Sequence, residues 1–302
     1  MKRDAFIIFT HYLNERVLSL VERAQREISQ SHDVRIIGYF PERSMIPPNF
    51  LKKPVSIACT AADLRELRFP GVAEADNYKI IPGDADMPIL WFAAKNPQYS
   101  RLWVFEGDVE FTGSLRELVD HLQHSNADLL LTRLEAARPE WPHFENRILP
   151  PGWPDPEESR LAGFLPVYRA SRRLVDALCA FYTAGGRGHF EWVWPQVAVK
   201  HDLECRDLMD FPMKGRSLYT RWPEYRSRSL GTFRYRPAIH KPGRRRNTLW
   251  HPVKDRKVNL FRELIVRPVS HRLAQTLVDP VLRPLRHHIL AHAPGSRESR
   301  DR

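Results

Sequence analysis

The sequence predicts an α/β domain in which helices flank a central, mostly parallel sheet. Short apolar runs typical of buried strands alternate with longer stretches whose apolar residues recur at helical spacing. The first three such segments (5–9, 14–30 and 34–40) form a βαβ unit, and units of this kind build parallel sheets. The 302 residues are 42% hydrophobic, which is enough apolar side chain to bury a sizeable core.

Each predicted element follows from its local pattern. Strands are predicted at 5–9, 34–40, 55–59, 102–108, 127–134 and 161–171. Helices are predicted at 14–30, around Leu64 and Leu67, at 87–96, after Ser114 and at 172–182. The helix after Ser114 has a capping signature, because Glu117 follows three residues later. The Pro- and Trp-rich stretch 135–160 is predicted to be a long loop.

Composition limits the classes of function. The formal net charge of +11 predicts attraction to polyanions, which include nucleotide diphosphates, nucleic acid and anionic membranes. No nucleic-acid-binding motif occurs in the sequence, so a specific nucleic-acid partner is not expected. Three widely spaced cysteines predict free thiols in a reducing compartment. Because no stretch resembles a signal peptide or a membrane span, we expect a cytoplasmic protein.

The stretch 101–113, RLWVFEGDVEFTG, is an apolar strand that becomes acidic toward its end. Glu106, Asp108 and Glu110 occupy alternate positions, so they share one face if the strand stays regular. Neighbouring carboxylates repel each other unless a cation lies between them. Ligands of α/β sheets bind at the carboxyl ends of strands, and oxygen ligands suit Mg²⁺ or Mn²⁺. The alternative is a solvated strand end that carries acidic side chains.

This stretch resembles the metal-binding strand of GT-A-type glycosyltransferases, which use nucleotide-sugar donors. In that fold a D-x-D or E-x-D motif ends a strand in the middle of the chain, and Glu106 and Asp108 match its two acidic positions, with Glu in the first. The resemblance in organisation covers about residues 1–255. It implies a GT-A-like, Rossmann-related domain in which Glu106 and Asp108 bind Mn²⁺ or Mg²⁺, with Asp108 as the direct ligand.

The resemblance also implies a histidine near the end of the domain that completes the metal site. His251, in the sequence TLWHPVK, matches this position, and His240 is the rival candidate. The run 244–246 precedes His251 and Lys254 follows it. Departing phosphates carry negative charge, which basic side chains stabilise. Arg244, Arg245, Arg246 and Lys254 are therefore predicted to bind the diphosphate. The alternative is a solvated basic loop.

The stretch GHFEWVWPQ, residues 188–196, matches the region that supplies the catalytic base in inverting GT-A enzymes. Glu191 lies between aromatic residues, where desolvation would raise its pKa and make it a usable base. Trp192 and Trp194 are predicted to stack on the acceptor sugar. The alternative is the start of a helix with both tryptophans in the core. Retaining enzymes of this fold need no such base, so the stereochemistry is left open.

The nucleotide is expected over the N-terminal half of the sheet. Thr10, His11 and Asn14 follow the first strand, where GT-A enzymes contact the base or ribose. Asp84 and Asp86 precede the helix that leads into the acidic strand, and they are candidates for contacts to the ribose or donor sugar. The alternative for each residue is a structural role.

Residues 256–302 differ from the rest of the chain. Their apolar residues recur at helical spacing among Arg and His, and prolines divide them into short segments. This pattern predicts a basic amphipathic helical tail with a disordered end, which either lies on an anionic membrane surface or docks on its own domain.

The resemblance implies a metal-dependent enzyme that transfers a sugar from a nucleotide-sugar donor to a glycan or lipid-linked acceptor. It would lie in the cytoplasm or peripherally at the inner face of the membrane. The alternatives are a non-catalytic basic protein that binds polyanions and an inactive GT-A-like domain.

Overall fold

A computed structural model describes residues 3–70, 85–137, 147–153, 161–220, 231–234 and 238–254. The predicted basic tail (256–302) and Asp84 lie outside these residues. Within the described part of the chain, no helix is long and apolar enough to cross a lipid bilayer.

The predicted strands and helices occur in the predicted order with small shifts at their ends, and short elements that were not predicted lie between them, including a strand at Arg147–Ile148 within the stretch predicted to be a loop. The strands are β1 (Asp4–Thr10), β2 (His32–Phe40), β3 (Ser56–Thr60), β4 (Arg101–Glu106), β5 (Glu110–Phe111), β6 (Leu129–Ala136), β7 (Arg147–Ile148), β8 (Leu161–Ser171), β9 (Arg187–Gly188), β10 (Cys205–Asp207) and β11 (Leu249–Trp250). The α-helices are α1 (Glu15–Ile28), α2 (Pro48–Leu51), α3 (Ala61–Arg65), α4 (Met87–Lys95), α5 (Leu115–Leu122), α6 (Arg172–Thr183) and α7 (Phe190–Lys200).

A seven-stranded sheet forms the centre of the fold, in the order β10-β6-β8-β4-β1-β2-β3. β8 runs antiparallel to its neighbours β4 and β6, whereas the other neighbouring pairs are parallel. The mostly parallel α/β sheet predicted from the sequence is therefore confirmed. Because β1, β2 and β4 are parallel, their carboxyl ends meet at one edge, and Phe9 pairs with Glu106 there.

Helices cover both faces of the sheet, as alternating side chains in β1 show. Phe6 and Ile8 pack in the apolar layer that contains α1 and α5, whereas Ala5 and Ile7 pack in the layer that contains α4, α6 and α7. A central strand buried on both faces reads as a continuous apolar run, which is why β1 and β4 were recognisable. Both faces of the sheet are therefore packed against helices, and the end of β4 lies at the edge of this packed core.

Helix caps set the start of the helices beside this edge. The Asn14 side chain accepts a hydrogen bond from the Val17 N–H and begins α1. Ser114 accepts from the Glu117 N–H and begins α5, as the capping signature predicted. Asn14 is therefore the N-cap of α1, and its predicted contact with the base or ribose stays a prediction.

Candidate metal centre

The acidic segment leaves the sheet in a tight turn after Glu106. The Gly107 N–H donates to the Phe9 carbonyl at 2.8 Å, and the Val109 N–H donates to the Glu106 carbonyl at 3.0 Å. A Cβ atom on residue 107 would lie 3.0 Å from both Thr10 Oγ1 and Val17 Cγ2, so the close approach to β1 and α1 favours glycine. The predicted strand 102–108 therefore ends two residues early, and Asp108 lies in the turn.

A second segment, distant in sequence, runs beside this turn. β11 pairs with β5 in antiparallel register, with Leu249 opposite Phe111 and Trp250 opposite Glu110. The Val253 N–H then donates to the Asp108 carbonyl at 2.8 Å. This pairing places His251 against the end of β4.

Three side chains meet at this point. Nε2 of His251 lies 3.3 Å from Oδ1 of Asp108 and 3.6 Å from Oε2 of Glu106. One ligand atom from each of the three residues lies within 4.8 Å of the other two. The predicted proximity of His251 to the acidic pair is confirmed.

The His251 ring is held in one orientation. Nδ1 lies 2.8 Å from the Arg234 carbonyl oxygen, which only accepts, so Nδ1 carries a proton and Nε2 faces the carboxylates. The rings of Phe164 and Phe233 pack against the imidazole, with centroids at 5.2 and 5.3 Å. Metal-binding histidines commonly donate their second N–H to a carbonyl in this way, which fixes the ring and the tautomer.

The charges at the site are strongly coupled. Burial disfavours the imidazolium, yet Asp108 and Glu106 raise the pKa of His251 to about 9. Burial disfavours the Asp108 carboxylate, yet His251 and Lys254 lower its pKa to about 2. The pKa of Glu106 is raised, chiefly by burial. Nζ of Lys254 lies 3.5 Å from Oδ2 of Asp108, so positive groups surround this carboxylate.

The side chains fit a divalent cation. Ligand atoms that share one ion at about 2.0–2.2 Å lie about 3–4 Å apart, so small side-chain movements would bring the three ligand atoms, within 4.8 Å of one another, around one ion. Carboxylates suit Mg²⁺ and Mn²⁺, and an imidazole suits first-row transition metals. The cluster of Glu106, Asp108 and His251 is therefore a candidate divalent-metal site.

Glu191 lies beside this cluster, on the side of β4 occupied by β8 and β6. It is in the first turn of α7, and burial followed by the charge of Glu106 raises its pKa to about 8. The pKa of Glu191 is lowered in part by a hydrogen bond from the Leu165 N–H and by the charges of His251 and Arg133. The predicted rise of the Glu191 pKa by desolvation is confirmed, and its role as a base stays a prediction.

The tryptophans beside Glu191 belong to the core. Trp192 and Trp194 are 1% and 0% exposed, and Nε1 of Trp194 donates to Oδ2 of Asp86 at 2.8 Å. The hydroxyl of Tyr182 donates to the same oxygen at 2.8 Å, and Asp86 is fully buried. These contacts contradict two predictions: the indoles do not offer a face to an acceptor sugar, and Asp86 does not face a nucleotide.

The two residues at the end of β1, Thr10 and His11, differ in accessibility. Thr10 is buried, and its hydroxyl donates to the Tyr12 carbonyl and accepts from the Tyr12 N–H, which corrects its predicted nucleotide contact. His11 is exposed at the surface. The pKa of His11 is lowered overall, chiefly by desolvation and also by the charge of Lys254, although the charge of Asp108 raises it. His11 therefore lies within electrostatic range of the candidate metal centre.

The basic segment before His251 is less directly connected to the site. Arg244 and Arg246 are exposed, and a guanidinium nitrogen of Arg245 lies 3.4 Å from the Ser217 carbonyl. The role of the run in binding a diphosphate stays a prediction. The rival His240 is exposed, with Nδ1 3.4 Å from the Lys254 carbonyl, so His251 is the histidine at the carboxylates.

Sequence reasoning missed one part of this region. Glu110 turns away from the metal centre and pairs with Arg16 at 2.7 Å and Arg23 at 3.2 Å. The three acidic side chains therefore do not share one face, because the turn at Gly107 breaks the strand. The sequence of α1 indicates that Arg16 and Arg23 could bind a common partner. They are seven residues apart, so they lie on the same side of the helix, and both border its apolar stripe.

No protein-family model and no curated protein matches the chain. Similar solved structures include a candidate glucose-1-phosphate thymidylyltransferase from Bacillus anthracis, which is 12% identical with a TM-score of 0.40 over 67% of this chain and 86% of that chain. Another is the 4-diphosphocytidyl-2C-methyl-D-erythritol synthase from Anaerococcus prevotii, which is 10% identical with a TM-score of 0.37 over 68% and 87%. Similarities this weak support no conclusion about activity, which has to be inferred from the site residues.

Proposed function

We propose that the chain is a metal-dependent glycosyltransferase that moves a sugar from a nucleotide-diphosphate donor to a glycan or lipid-linked acceptor. The observation that carries the proposal is the cluster of Glu106, Asp108 and His251 at the carboxyl end of a central parallel strand. This edge is where α/β sheets bind ligands. Two carboxylates and one oriented imidazole form a donor set for Mn²⁺ or Mg²⁺.

Each residue has a defined task in this proposal. Glu106, Asp108 and His251 hold the divalent cation, which when bound supplies positive charge that stabilises the departing diphosphate. Lys254, 3.5 Å from Asp108, is close enough to pair with a phosphate oxygen. His11, the exposed residue after β1, is the proposed nucleotide contact on the other side of β4, where β1 lies.

Glu191 is the proposed base of an inverting reaction. Its carboxylate accepts the proton of an acceptor hydroxyl, whose oxygen forms a bond to the anomeric carbon. The bond from that carbon to the diphosphate oxygen breaks, and the diphosphate leaves with the electron pair. The proposal is supported by the position of Glu191 in a desolvated site within electrostatic range of Glu106.

The proposal is tested by thermal unfolding with a panel of nucleotide-diphosphate sugars, each with Mn²⁺ and with EDTA. A ligand present at a hundred times its Kd stabilises the native state by about 2.7 kcal/mol, so binding gives a measurable rise in Tm. We expect the rise with Mn²⁺ and its loss with EDTA. Stabilisation by any polyanion regardless of metal would instead support the non-catalytic polyanion-binding protein. Metal-dependent binding without sugar transfer would support an inactive domain.

A further inference from the structure

The third acid of the segment, Glu110, is held by two arginines from helix α1. Its Oε2 lies 2.7 Å from a guanidinium nitrogen of Arg16, and its Oε1 lies 3.2 Å from one of Arg23. The three side chains are 15–24% exposed, so the pairs are largely shielded from solvent. Pairs of this kind are stronger and better ordered than exposed ones.

The same arginines also bind the backbone of the turn. Arg16 donates to the Val109 carbonyl at 3.4 Å, next to Asp108. Arg23 donates to the Phe111 carbonyl at 2.8 Å and to the Gly113 carbonyl. Helix α1 therefore contacts the segment after Asp108 at several successive residues.

Glu27 extends these contacts to the start of α5. It pairs with Arg23 at 3.1 Å, and its other oxygen accepts from the Leu115 N–H at 2.6 Å. These bonds lower the pKa of Glu27, although partial burial acts against them. We call Arg16, Arg23, Glu27 and Glu110 the α1 clamp.

We propose that the α1 clamp positions Asp108 for metal binding, with Arg16 as its decisive member. This inference rests on the proposed function, because it assumes that Asp108 is a metal ligand. Asp108 has no regular strand to hold it, since β4 ends at Glu106. Its carbonyl is fixed on one side by the Val253 N–H at 2.8 Å, and the clamp fixes the chain on the other side.

Positioning and simple electrostatics predict opposite results when Arg16 is removed. Arg16 carries a positive charge near the cation, so loss of that charge alone would strengthen metal binding. If Arg16 instead holds Asp108 in place, its loss weakens metal binding. Removal of a residue that holds a metal ligand in place typically lowers the affinity for the metal about 10- to 100-fold. The direction of the change therefore identifies the role.

The experiment measures the Kd for Mn²⁺ of the full chain by electron paramagnetic resonance, which follows the loss of the free-ion signal. We expect Arg16→Met to weaken binding about 10-fold or more. Arg16→Lys keeps the charge but loses the forked geometry, so we expect an intermediate Kd. Arg65→Met is the matched control, because Arg65 is an exposed arginine on another helix, α3, and is not a member of the clamp. Its Kd should stay within about twofold of the parent, as for an exposed substitution.

Three results would overturn the inference. The first is an Arg16→Met variant that binds Mn²⁺ as tightly as the parent or more tightly. The second, which applies if Arg16→Met does not fold, is an Arg16→Lys variant with the parental Kd. The third is a parent chain that binds no Mn²⁺. Clamp-dependent Mn²⁺ binding without any binding of nucleotide-diphosphate sugars would support the clamp and contradict only the proposed function.

Discussion

Nε2 of His251 lies 3.3 Å from Oδ1 of Asp108, although β4 and β11 are far apart in the chain. The pairing of β5 with β11 and the bond from the Val253 N–H to the Asp108 carbonyl produce this contact. The imidazole is oriented by the Arg234 carbonyl before any ligand arrives. A site arranged in this way loses little conformational freedom when it binds an ion.

Asp108→Asn is expected to abolish metal-dependent nucleotide binding while the protein stays folded. The substitution keeps the volume of the side chain but removes the charge that a hard divalent cation requires. Isothermal titration with a nucleotide diphosphate in the presence of Mn²⁺ measures the effect, and we expect affinity to fall at least about 100-fold. Asp120→Asn, at an exposed position of α5, is the control. Parental affinity in the Asp108 variant would remove the metal role of this residue.

His251 predicts a pH dependence of the metal-free protein. Its pKa is raised to about 9 in the native state, so the native state keeps a proton that the unfolded chain releases near 6.5. The stabilising effect is therefore complete below pH 6.5 and is lost as the pH rises through 9. Chemical unfolding at several pH values should show a loss on the order of 3 kcal/mol over this range. His251→Gln should remove this part of the slope.

Bound Mn²⁺ is expected to cancel this trend. A metal requires the neutral imidazole, so a proton must leave Nε2 of His251 before the ion binds. The stabilisation by Mn²⁺ should therefore grow as the pH rises from about 6.5 to 9. Thermal unfolding with and without Mn²⁺ at matched pH values measures this difference. A constant difference across the range would exclude His251 as a ligand.

The elements of the fold were predictable because they depend on near neighbours in sequence. The apolar runs of β1 and β4 identify central strands, and the cap at Ser114 identifies the start of α5. The acidic pair at the end of β4 was predictable for the same reason. His251 was different, because its selection depended on a family resemblance and not on a local pattern.

Several of the missed and corrected features depend on contacts between distant parts of the chain. The spacing of Glu110 predicts that it shares a strand face with Glu106 and Asp108, but Glu110 pairs with Arg16 and Arg23 instead. Asp86 and Trp194 are predicted to be accessible, but both are buried, and Trp194 of α7 donates a hydrogen bond to Asp86, the residue before α4. Local periodicity carries no information about such partners.

Tyr182→Phe is expected to destabilise the protein without changing binding at the metal centre. The substitution removes one of the two donors that lie 2.8 Å from Oδ2 of the buried Asp86. When a buried acceptor loses a hydrogen-bond donor, the free energy of unfolding falls by about 1–3 kcal/mol. Chemical unfolding measures this loss, and the Kd for Mn²⁺ should be unchanged. A weaker nucleotide affinity with unchanged stability would restore the predicted ligand role of Asp86.

Glu191→Gln is expected to lower the rate of sugar transfer while nucleotide affinity stays within about twofold. General bases contribute about 10²–10⁴-fold to a rate, and the amide cannot accept the proton. In the metal-free protein the Glu191 pKa is raised to about 8, chiefly by burial and then by the charge of Glu106. A cation held by Glu106 offsets that charge, so the pKa of Glu191 should fall when Mn²⁺ binds. Accordingly, kcat should rise with pH to a plateau whose midpoint lies below 8, and this rise should be absent in the variant. Full activity in Glu191→Gln would mean that the enzyme uses a different base or proceeds with retention.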